Sequence, residues 1–406
     1  MGERVKKKKV VEQTCYELAQ ERISKAFDSF DEIIVSFSGG KDSTVVLEMT
    51  LAEAERRGRL PLRVVFYDEE AIPLQTVEYV ERRRQDPRIN LEWYCLPLEL
   101  RNACSQEEPY WYSWAPEDEE KWVRPLPEGA ITSHPLLDGL PRDKRPGWPE
   151  FTPALADGKG STAFFLGIRA DESLSRFRQV AYREENNYII NFAPGIAKVL
   201  PIYDFTTQDV WTAPAMFGWD YNRAYDVMEM LGISPSAQRC APPFGEEPLG
   251  GLWMFAQAFP EIWDKMTERA PGVATAARYA RTELYGFGGT LVKPAGKTWK
   301  EYVYETLEHQ PDVVRKNAVS AVQGLIRSHF RYTDTPILEK NGHPAVGITW
   351  RQLLSIAMRG DLKGRRQQMA AKHLKPGTQE YAKKLESYEA ELDELTKSGR
   401  LHEVEL

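Results

Sequence analysis

Cysteine is scarce in this sequence of 406 residues, and its four thiols are far apart in the chain. Cys15, Cys95, Cys104 and Cys240 form no C-x-x-C pair, and none of the six histidines has ligand spacing to another histidine or to a cysteine. This pattern excludes a disulfide-rich secreted domain, a zinc finger and a dithiol redox motif. So few thiols in a long chain favour a reducing compartment, and we predict a cytoplasmic protein.

Long apolar runs and an excess of positive charge are also missing. No window approaches ~18 consecutive apolar residues, so the sequence predicts no membrane span. The lysines at 6–9 are not followed by an apolar stretch of the signal-peptide type. The net charge of −7 gives no bulk attraction to nucleic acid or to an anionic membrane, so such binding would require local basic patches.

What is present is an ordinary globular composition, with 42% hydrophobic and 28% charged residues. Strands and helices alternate through the first half of the chain. Apolar patterns predict helices at 10–30, 44–55 and 77–84, a helix capped by Thr206 or Thr207, and strands at 32–37, 62–67, 89–98, 162–168 and 197–203. This order predicts an α/β fold with a five-stranded, mainly parallel sheet and helices on both faces.

Two segments depart from that order. Residues 105–160 are rich in proline, tryptophan, tyrosine and glycine, which is typical of a functional lid or binding loop inserted into a domain. From about residue 241 helical patterns dominate, so we predict one domain at 1–240 and a mostly helical C-terminal domain at 241–406. A short apolar seam between Gln379 and Lys397 predicts a helix packed on its own domain, with self-association into a homo-oligomer as the less favoured alternative.

The most informative segment is Ser36-Phe-Ser-Gly-Gly-Lys-Asp-Ser-Thr44, which follows the first strand and opens a helix. Consecutive glycines let backbone N–H groups turn inward as an anion-binding nest, and the helix adds its positive end. Ser38 and Ser43 supply hydroxyls and Lys41 supplies a charge, whereas Asp42 would either face Mg²⁺ or anchor the loop. The loop is not a Walker A sequence, because Asp42 stands where serine or threonine is needed.

These residues resemble the PP-loop of N-type ATP pyrophosphatases, and among those the phosphoadenosine phosphosulfate (PAPS) reductase family. Two further blocks agree with the resemblance, Leu166-Gly-Ile-Arg-Ala-Asp-Glu-Ser173 and Pro201-Ile-Tyr-Asp-Phe-Thr-Thr-Gln-Asp-Val-Trp211. Later blocks, Gly218–Asn222, Tyr225-Asp226 and Arg239–Gly245, are similar to a long-chain branch with its own helical C-terminal domain. The resemblance implies a doubly wound sheet and a small ParB-like protein as partner.

The resemblance also implies a nucleotide site that binds ATP or PAPS, with Mg²⁺. Its catalytic residues would be Lys41, Asp42 and Arg169, and its metal ligands Asp42 and Asp171. The nucleotide-binding residues would be Ser36, Ser38, Gly39, Gly40, Lys41, Asp42, Ser43, Asp68, Gly167 and Arg169.

Two of these assignments, Arg169 and Asp68, also have arguments of their own. Arg169 ends a strand at the predicted ligand edge of the sheet, where a guanidinium can clamp phosphate or sulfate, and Arg176 and Arg178 extend the basic cluster. Asp68 ends the second strand, where a nucleotide contact and a solvated strand end are equally expected. After this strand the sequence reads Asp68-Glu-Glu70, which differs from the turn that PAPS reductases usually have at this position.

Reduction of PAPS needs a nucleophilic thiolate, and the sequence has no Glu-Cys-Gly motif and no cluster of four cysteines for iron–sulfur ligation. Cys240, after Arg239, is the one candidate nucleophile, and a structural thiol is the favoured alternative. We therefore expect cleavage of a nucleotide at its α-phosphate, with adenylyl or sulfur transfer to an unknown acceptor. A reductase using Cys240 and a nucleotide sensor without turnover remain the alternatives.

Two local features would suit a nucleic-acid partner. The insertion contains aromatic side chains that can stack on bases: Tyr110, Trp111, Tyr112, Trp114 and Trp122. The favoured interpretation is that they cover the sheet. Basic residues of the C-terminal domain can meet phosphates, although such runs are usually solvated: Arg359, Lys363, Arg365, Arg366, Lys372 and Lys375.

Overall fold

The computed structural model describes residues 11–105, 107–181, 186–245, 251–279, 293–359 and 374–404. Their contacts divide the chain into two compact units, one formed by residues 1–104 and 110–280 and the other by residues 105–109 and 281–406. The segment 241–279, which the sequence analysis assigned to the C-terminal domain, therefore lies in the first unit.

The first unit is built on a six-stranded sheet. Its strands are β1 (Glu32–Phe37), β2 (Leu62–Tyr67), β3 (Ile89–Tyr94), β6 (Thr162–Leu166), β7 (Ile189–Ala193) and β8 (Ile196–Val199), in the order β3-β2-β1-β6-β8-β7. A separate antiparallel pair joins β4 (Glu99–Arg101) to β5 (Tyr110–Tyr112).

The predicted mainly parallel sheet is confirmed, and its five parallel strands are those the sequence predicted. The strand count is corrected to six, because β7 adds an antiparallel edge through a tight turn to β8. The pattern of β7 escaped notice because an edge strand is only half-buried, as every residue of Ile189–Ala193 is partly or fully accessible.

Helices cover the sheet and extend the unit. They are α1 (Cys15–Ser29), α2 (Lys41–Arg56), α3 (Leu74–Arg84), α4 (Trp148–Phe151), α5 (Leu174–Ala181), α6 (Thr207–Phe217), α7 (Ala224–Met230), α8 (Leu252–Ala258), α9 (Pro260–Arg269) and α10 (Val273–Tyr279). Thr206 caps α6 and forms a reciprocal capping box with Asp209, as its position predicted.

The two faces of the sheet have different covers. One face packs against α1 and α2 in a large core that includes Ile23, Val35 and Leu47. On the other face, Ile34, Val65 and Phe164 pack against residues of the insertion. Residues 110–160 of the insertion are therefore folded against the sheet: Leu137 and Phe151 lie in the core of this face, Trp114 lies in the core of the other face, and Trp111, Tyr112 and Trp114 are buried. Burial of these three rings removes them as stacking surfaces for bases.

The second unit is helical in the part that the structure describes. It contains α11 (Trp299–Glu308), α12 (Asp312–Tyr332), α13 (Trp350–Arg359) and α14 (Gln379–Lys397). Tyr388 and Leu395 of the predicted seam are buried in the core of this unit, as expected of a helix packed on its own domain. Of the predicted basic stretch, Lys363, Arg365, Arg366 and Lys372 lie outside the described residues. None of the helices described is both long and apolar enough to cross a bilayer.

Candidate functional site

The glycine turn after β1 brings the start of α2 to the carboxyl edge of the sheet. Gly39 has φ +69°, a left-handed conformation that a residue with a side chain adopts only with strain, and Gly40 caps α2. The hydroxyls of Ser38 and Ser43 lie 3.0 Å apart, and the Ser43 hydroxyl also lies 3.0 Å from the carbonyl oxygen of Gly40. The loop is therefore closed by its own serines into a compact turn at a helix N-terminus.

Gly167 allows the neighbouring strand to approach this loop. A Cβ at Gly167 would lie 2.6 Å from the backbone nitrogen of Ser43 and 2.7 Å from the carbonyl carbon of Asp42. Only a residue without a side chain fits at that separation, so Gly167 acts through the packing of loop and strand. It follows β6, which pairs with β1, so the sheet register sets this contact.

Lys41 is the first residue of α2, and only 3% of it is exposed. Its ammonium lies 3.3 Å from a carboxylate oxygen of Asp42 and 5.5 Å from the ring centroid of Tyr225. Burial lowers the pKa of Lys41 from 10.5, and Asp42 opposes that shift only in part. The loop thus holds a cation whose desolvation its protein neighbours do not fully offset.

Arg169 connects the loop to the end of β6. It is 1% exposed, and its guanidinium binds the carboxylate of Asp42 and that of Asp171, the latter at 2.5 Å. Glu172 lies 3.9 Å from the same guanidinium. Two carboxylates fix the arginine in one orientation at the edge where ligands of parallel sheets bind. The structure thus brings together Lys41, Asp42, Arg169 and Asp171, as the sequence analysis expected.

Asp68 and Ser36 lie outside the cluster that the loop residues form with Arg169. The Asp68 carboxylate is fully buried and accepts hydrogen bonds from the Trp93 indole (2.8 Å), the Glu70 backbone (2.9 Å) and the Arg124 guanidinium. A solvated strand end is therefore wrong for Asp68, and its carboxylate is occupied by protein donors. Ser36 lies on the sheet face that the insertion covers, where its hydroxyl contacts that of Tyr67.

Glu70 completes the same buried network. Its carboxylate accepts two hydrogen bonds from Arg269 in α9, at 2.8 and 3.1 Å, and one each from the backbones of Trp114 (2.8 Å) and Val123 (3.0 Å). The segment Asp68–Glu70 therefore fastens the insertion and α9 to the end of β2. No sequence signal marked Arg124 or Arg269 as its partners.

Two residues that hydrogen-bond to the loop, Asn222 and Tyr225, were not predicted from the sequence as site residues. The Asn222 side chain donates hydrogen bonds to the carbonyl of Gly39 (2.9 Å), the Thr76 hydroxyl (2.8 Å) and the Cys240 thiol (3.4 Å). The Tyr225 hydroxyl accepts a hydrogen bond of 3.0 Å from the backbone N–H of Lys41. Asn222 and Tyr225 lie in the sequence blocks that carry the family resemblance, and that position is the signal by which they could have been found.

Cys240 lies against the loop, but in an environment unlike that of a reactive thiolate. It is 7% exposed, and burial raises its pKa above 9.0. An arginine next to a cysteine in the sequence favours a lowered thiol pKa, but the Arg239 guanidinium instead donates to the carbonyls of Ser236 and Gln238 and lies 3.8 Å from Glu172.

Two family models match successive parts of the chain. The model of the phosphoadenosine phosphosulfate reductase domain matches residues 32–228, and that of a domain of unknown function, DUF3440, matches residues 232–337. The uncharacterized protein YbdN of Escherichia coli K12 is 33% identical over 363 residues, which cover 85% of this chain and 88% of YbdN. The adenosine 5'-phosphosulfate reductase of Allochromatium vinosum is 24% identical over 237 residues, covering 58% of this chain and 78% of that enzyme.

Among solved structures, the PAPS reductase of Candida auris superposes with a TM-score of 0.30 at 13% identity, covering 54% of this chain and 93% of that chain. The FMN adenylyltransferase of Candida glabrata gives a TM-score of 0.34 at 15% identity, covering 52% of this chain and 57% of that chain. By the reductase-domain match and the extended identity with YbdN, the chain belongs to the PAPS reductase family, in which it carries a DUF3440 domain after the reductase domain.

Proposed function

We propose that this protein binds an adenine nucleotide with its phosphates at the Ser38–Ser43 loop, cleaves it at the α-phosphorus and transfers the adenylyl group or sulfur to an acceptor. The observation that carries the proposal is the buried ammonium of Lys41 at the start of α2, beside the glycine turn. A lysine in this position is unfavourable in the unliganded fold, because burial lowers its pKa. A bound phosphate would supply the missing negative charge.

The chain's own residues can perform the binding and the charge stabilisation. Lys41 and the positive end of α2 would face the outer phosphates, where charge develops as pyrophosphate leaves. Arg169 is held by Asp42 and Asp171, so it meets the phosphates without reorganising. Preorganised cations of this kind stabilise a transition state at little cost when the reaction occurs.

Magnesium fits this arrangement as a companion of the nucleotide. Among the described residues no group of three or more His, Cys, Asp or Glu side chains is poised to hold a metal ion. Mg²⁺ at nucleotide sites is usually held by one or two carboxylates and the phosphates themselves. Asp171, with a side chain 40% exposed, and Asp42 would be those carboxylates, and the ion would neutralise charge on the leaving pyrophosphate.

The contact of Cys240 with Asn222 behind the loop supports one second candidate, a thiol-dependent PAPS or APS reductase. Its burial and raised pKa disfavour the thiolate that this reaction requires. A cytoplasmic location is part of the proposal as well, and so are a nucleic-acid or ParB-like partner and a homo-oligomer.

The test uses two labelled nucleotides with the full-length protein and Mg²⁺. We would measure binding of α-labelled ATP and of sulfur-labelled PAPS, and then their products in the presence of a small-molecule extract as a source of acceptors. The key variant is Lys41→Met, and the matched control is Lys198→Met, which removes a half-buried lysine from β8 of the same sheet. We expect turnover of ATP by the wild type and the control, and a loss of about 100-fold in Lys41→Met.

Three results would contradict the proposal in different ways. If Lys41→Met bound the nucleotide as tightly as the wild type, the nucleotide phosphates would not bind at the loop. Sulfite formed from PAPS and abolished by Cys240→Ser would favour the reductase. Tight nucleotide binding without any product would favour a sensor.

A further inference from the structure

A cavity of about 470 Å³ lies in the first unit, beside the loop. Its volume is in the range of small-molecule sites. The apolar part of its wall is formed by residues from α7 onward: Met228, Ile233, Met254, Phe255, Ala258 and Phe259. The polar side chains include Glu172, Arg176 and Arg239. The mechanism proposed above uses neither arginine.

Ion pairs link the wall of the cavity to the Ser38–Ser43 loop. Glu172 lies 3.9 Å from the guanidinium of Arg169, which binds the loop, and 3.8 Å from that of Arg239, which lines the cavity. Glu172 also pairs with Arg176. Arg239 and Ala241, both in the wall, flank Cys240, whose thiol is bonded through Asn222 to the loop. A molecule in the cavity would therefore lie next to phosphates held at Gly39–Ser43.

The charges of the cavity select one kind of ligand. The guanidiniums of Arg176 and Arg239 lie beside the carboxylate of Glu172, and their side chains are 32% and 35% exposed. A carboxylate of the ligand can accept two parallel hydrogen bonds from a guanidinium. The apolar residues of the wall, with Met228, Phe255 and Phe259 buried, would cover an apolar body of the ligand.

We propose that this cavity binds the acceptor, and that the acceptor is a small monocarboxylic acid with an apolar body. This inference rests on the proposed function. A carboxylate oxygen of the acid attacks the α-phosphorus of ATP and forms a new P–O bond. The bond from the α-phosphorus to the bridging oxygen breaks, and its electron pair leaves with pyrophosphate. The products are an acyl adenylate and pyrophosphate, and the step needs no oxidant, reductant or proton transfer.

The inference also assigns a role to part of the segment matched as a domain of unknown function. Ile233, Arg239 and Phe259 belong to the DUF3440 match, whereas Glu172, Arg176 and Met228 belong to the reductase-domain match. All lie in one compact unit. The DUF3440 segment thus supplies most of the apolar wall and one guanidinium, and the reductase domain supplies Met228, the other guanidinium and the Ser38–Ser43 loop.

The test is a calorimetric titration of the full-length protein with three carboxylates of increasing size, hexanoate, 3-phenylpropanoate and 3-(indol-3-yl)propanoate. The neutral isostere 3-phenylpropanamide is titrated in parallel. The variant is Arg239→Gln, and the matched control is Arg223→Gln, whose guanidinium lies near Asp220 and Asp226 and outside the cavity. We expect at least one acid to bind saturably, about tenfold more tightly than its amide, with Arg239→Gln removing this preference and Arg223→Gln retaining it.

Separate measurements distinguish the failure of this inference from that of the proposed function. No saturable binding of any of the three acids, or equal binding of acid and amide, would overturn the cavity assignment while ATP binding is measured independently. Displacement of a bound acid by adenosine would show that the cavity holds the nucleoside, which also overturns it. Binding of an acid by a protein that fails to bind ATP would support the cavity and refute the loop proposal. Isotope exchange between pyrophosphate and ATP that depends on the acid would support both.

Discussion

The guanidinium of Arg169, after β6, and the carboxylate of Asp42, in the first turn of α2, form a buried ion pair that joins two segments 127 residues apart. The pair fixes the phosphate loop against the neighbouring strand of the sheet. It also explains the acidic residue in a loop proposed to bind phosphate, because Arg169 offsets the negative charge of Asp42.

Removing one partner of this pair should therefore destabilise the fold. We expect Arg169→Met to lower the free energy of unfolding by about 3–5 kcal/mol, because Asp42 and Asp171 would lose a shared counter-charge. The double variant Arg169→Met, Asp42→Asn should lose less than the sum of the single variants. Urea unfolding of the wild type, the single variants Arg169→Met and Asp42→Asn, and the double variant measures this coupling. Strict additivity would show that the two side chains act independently.

Gly167 offers a second test of the loop geometry. In Gly167→Ala the new methyl group would overlap the backbone of Asp42 and Ser43, so we expect a loss of about 1–3 kcal/mol in stability and weaker nucleotide binding. Gly58→Ala is the control, because Gly58 has φ +65° and open space around it. It should cost about 1–2 kcal/mol through backbone strain alone and leave nucleotide affinity unchanged. If both variants bind nucleotide normally, the contact at Gly167 does not shape the site.

The lowered pKa of Lys41 predicts two opposite effects of pH. Between the lowered pKa of Lys41 and the ordinary value of 10.5, the unfolded chain binds more protons than the fold, so stability rises with pH in this window. Nucleotide affinity should fall over the same window, because the neutral amine carries no charge for the phosphates. Denaturation and equilibrium dialysis at a series of pH values measure both quantities.

Substitution separates these two effects. Lys41→Met should remove the contribution of Lys41 to the pH dependence of stability and should also abolish nucleotide binding. Lys41→Arg should keep nucleotide affinity at alkaline pH, since guanidinium stays protonated. If the pH profile of stability were the same in Lys41→Met as in the wild type, the pH dependence would arise from another titratable group.

Cys240 should behave as a buried neutral thiol. Because burial raises its pKa above 9.0, we expect its alkylation in the native protein at pH 8 to be much slower than in urea. Mass spectrometry of the peptide that contains Cys240 measures both rates. Cys240→Ala should retain nucleotide cleavage, with a modest loss of stability from the cavity it leaves. Rapid native alkylation together with loss of activity would place Cys240 in the chemistry.

Local sequence carried most of the fold of the first unit. Glu32–Phe37 and Leu62–Tyr67 were predicted at their observed bounds, because buried parallel strands are short continuous apolar runs between turns. The edge strand Ile189–Ala193 was missed because its half-buried residues do not form a continuous apolar run between turns. A helix cap was predicted at Thr206 or Thr207 because threonine favours the position before a helix, and the structure places the cap at Thr206, with Asp209 completing a capping box.

The sequence by itself determined the glycine turn between β1 and α2, since Gly39 and Gly40 between a strand and a helix specify a local backbone conformation. It also determined that Arg169 would reach the loop, because parallel strands present their carboxyl ends at one edge. Only the tertiary structure decided what Asp68 does. Its partners Trp93 and Arg124 lie 25 and 56 residues away, and no local pattern encodes such pairings. For the same reason, only the tertiary structure placed Arg176 and Arg239 around one cavity beside the loop.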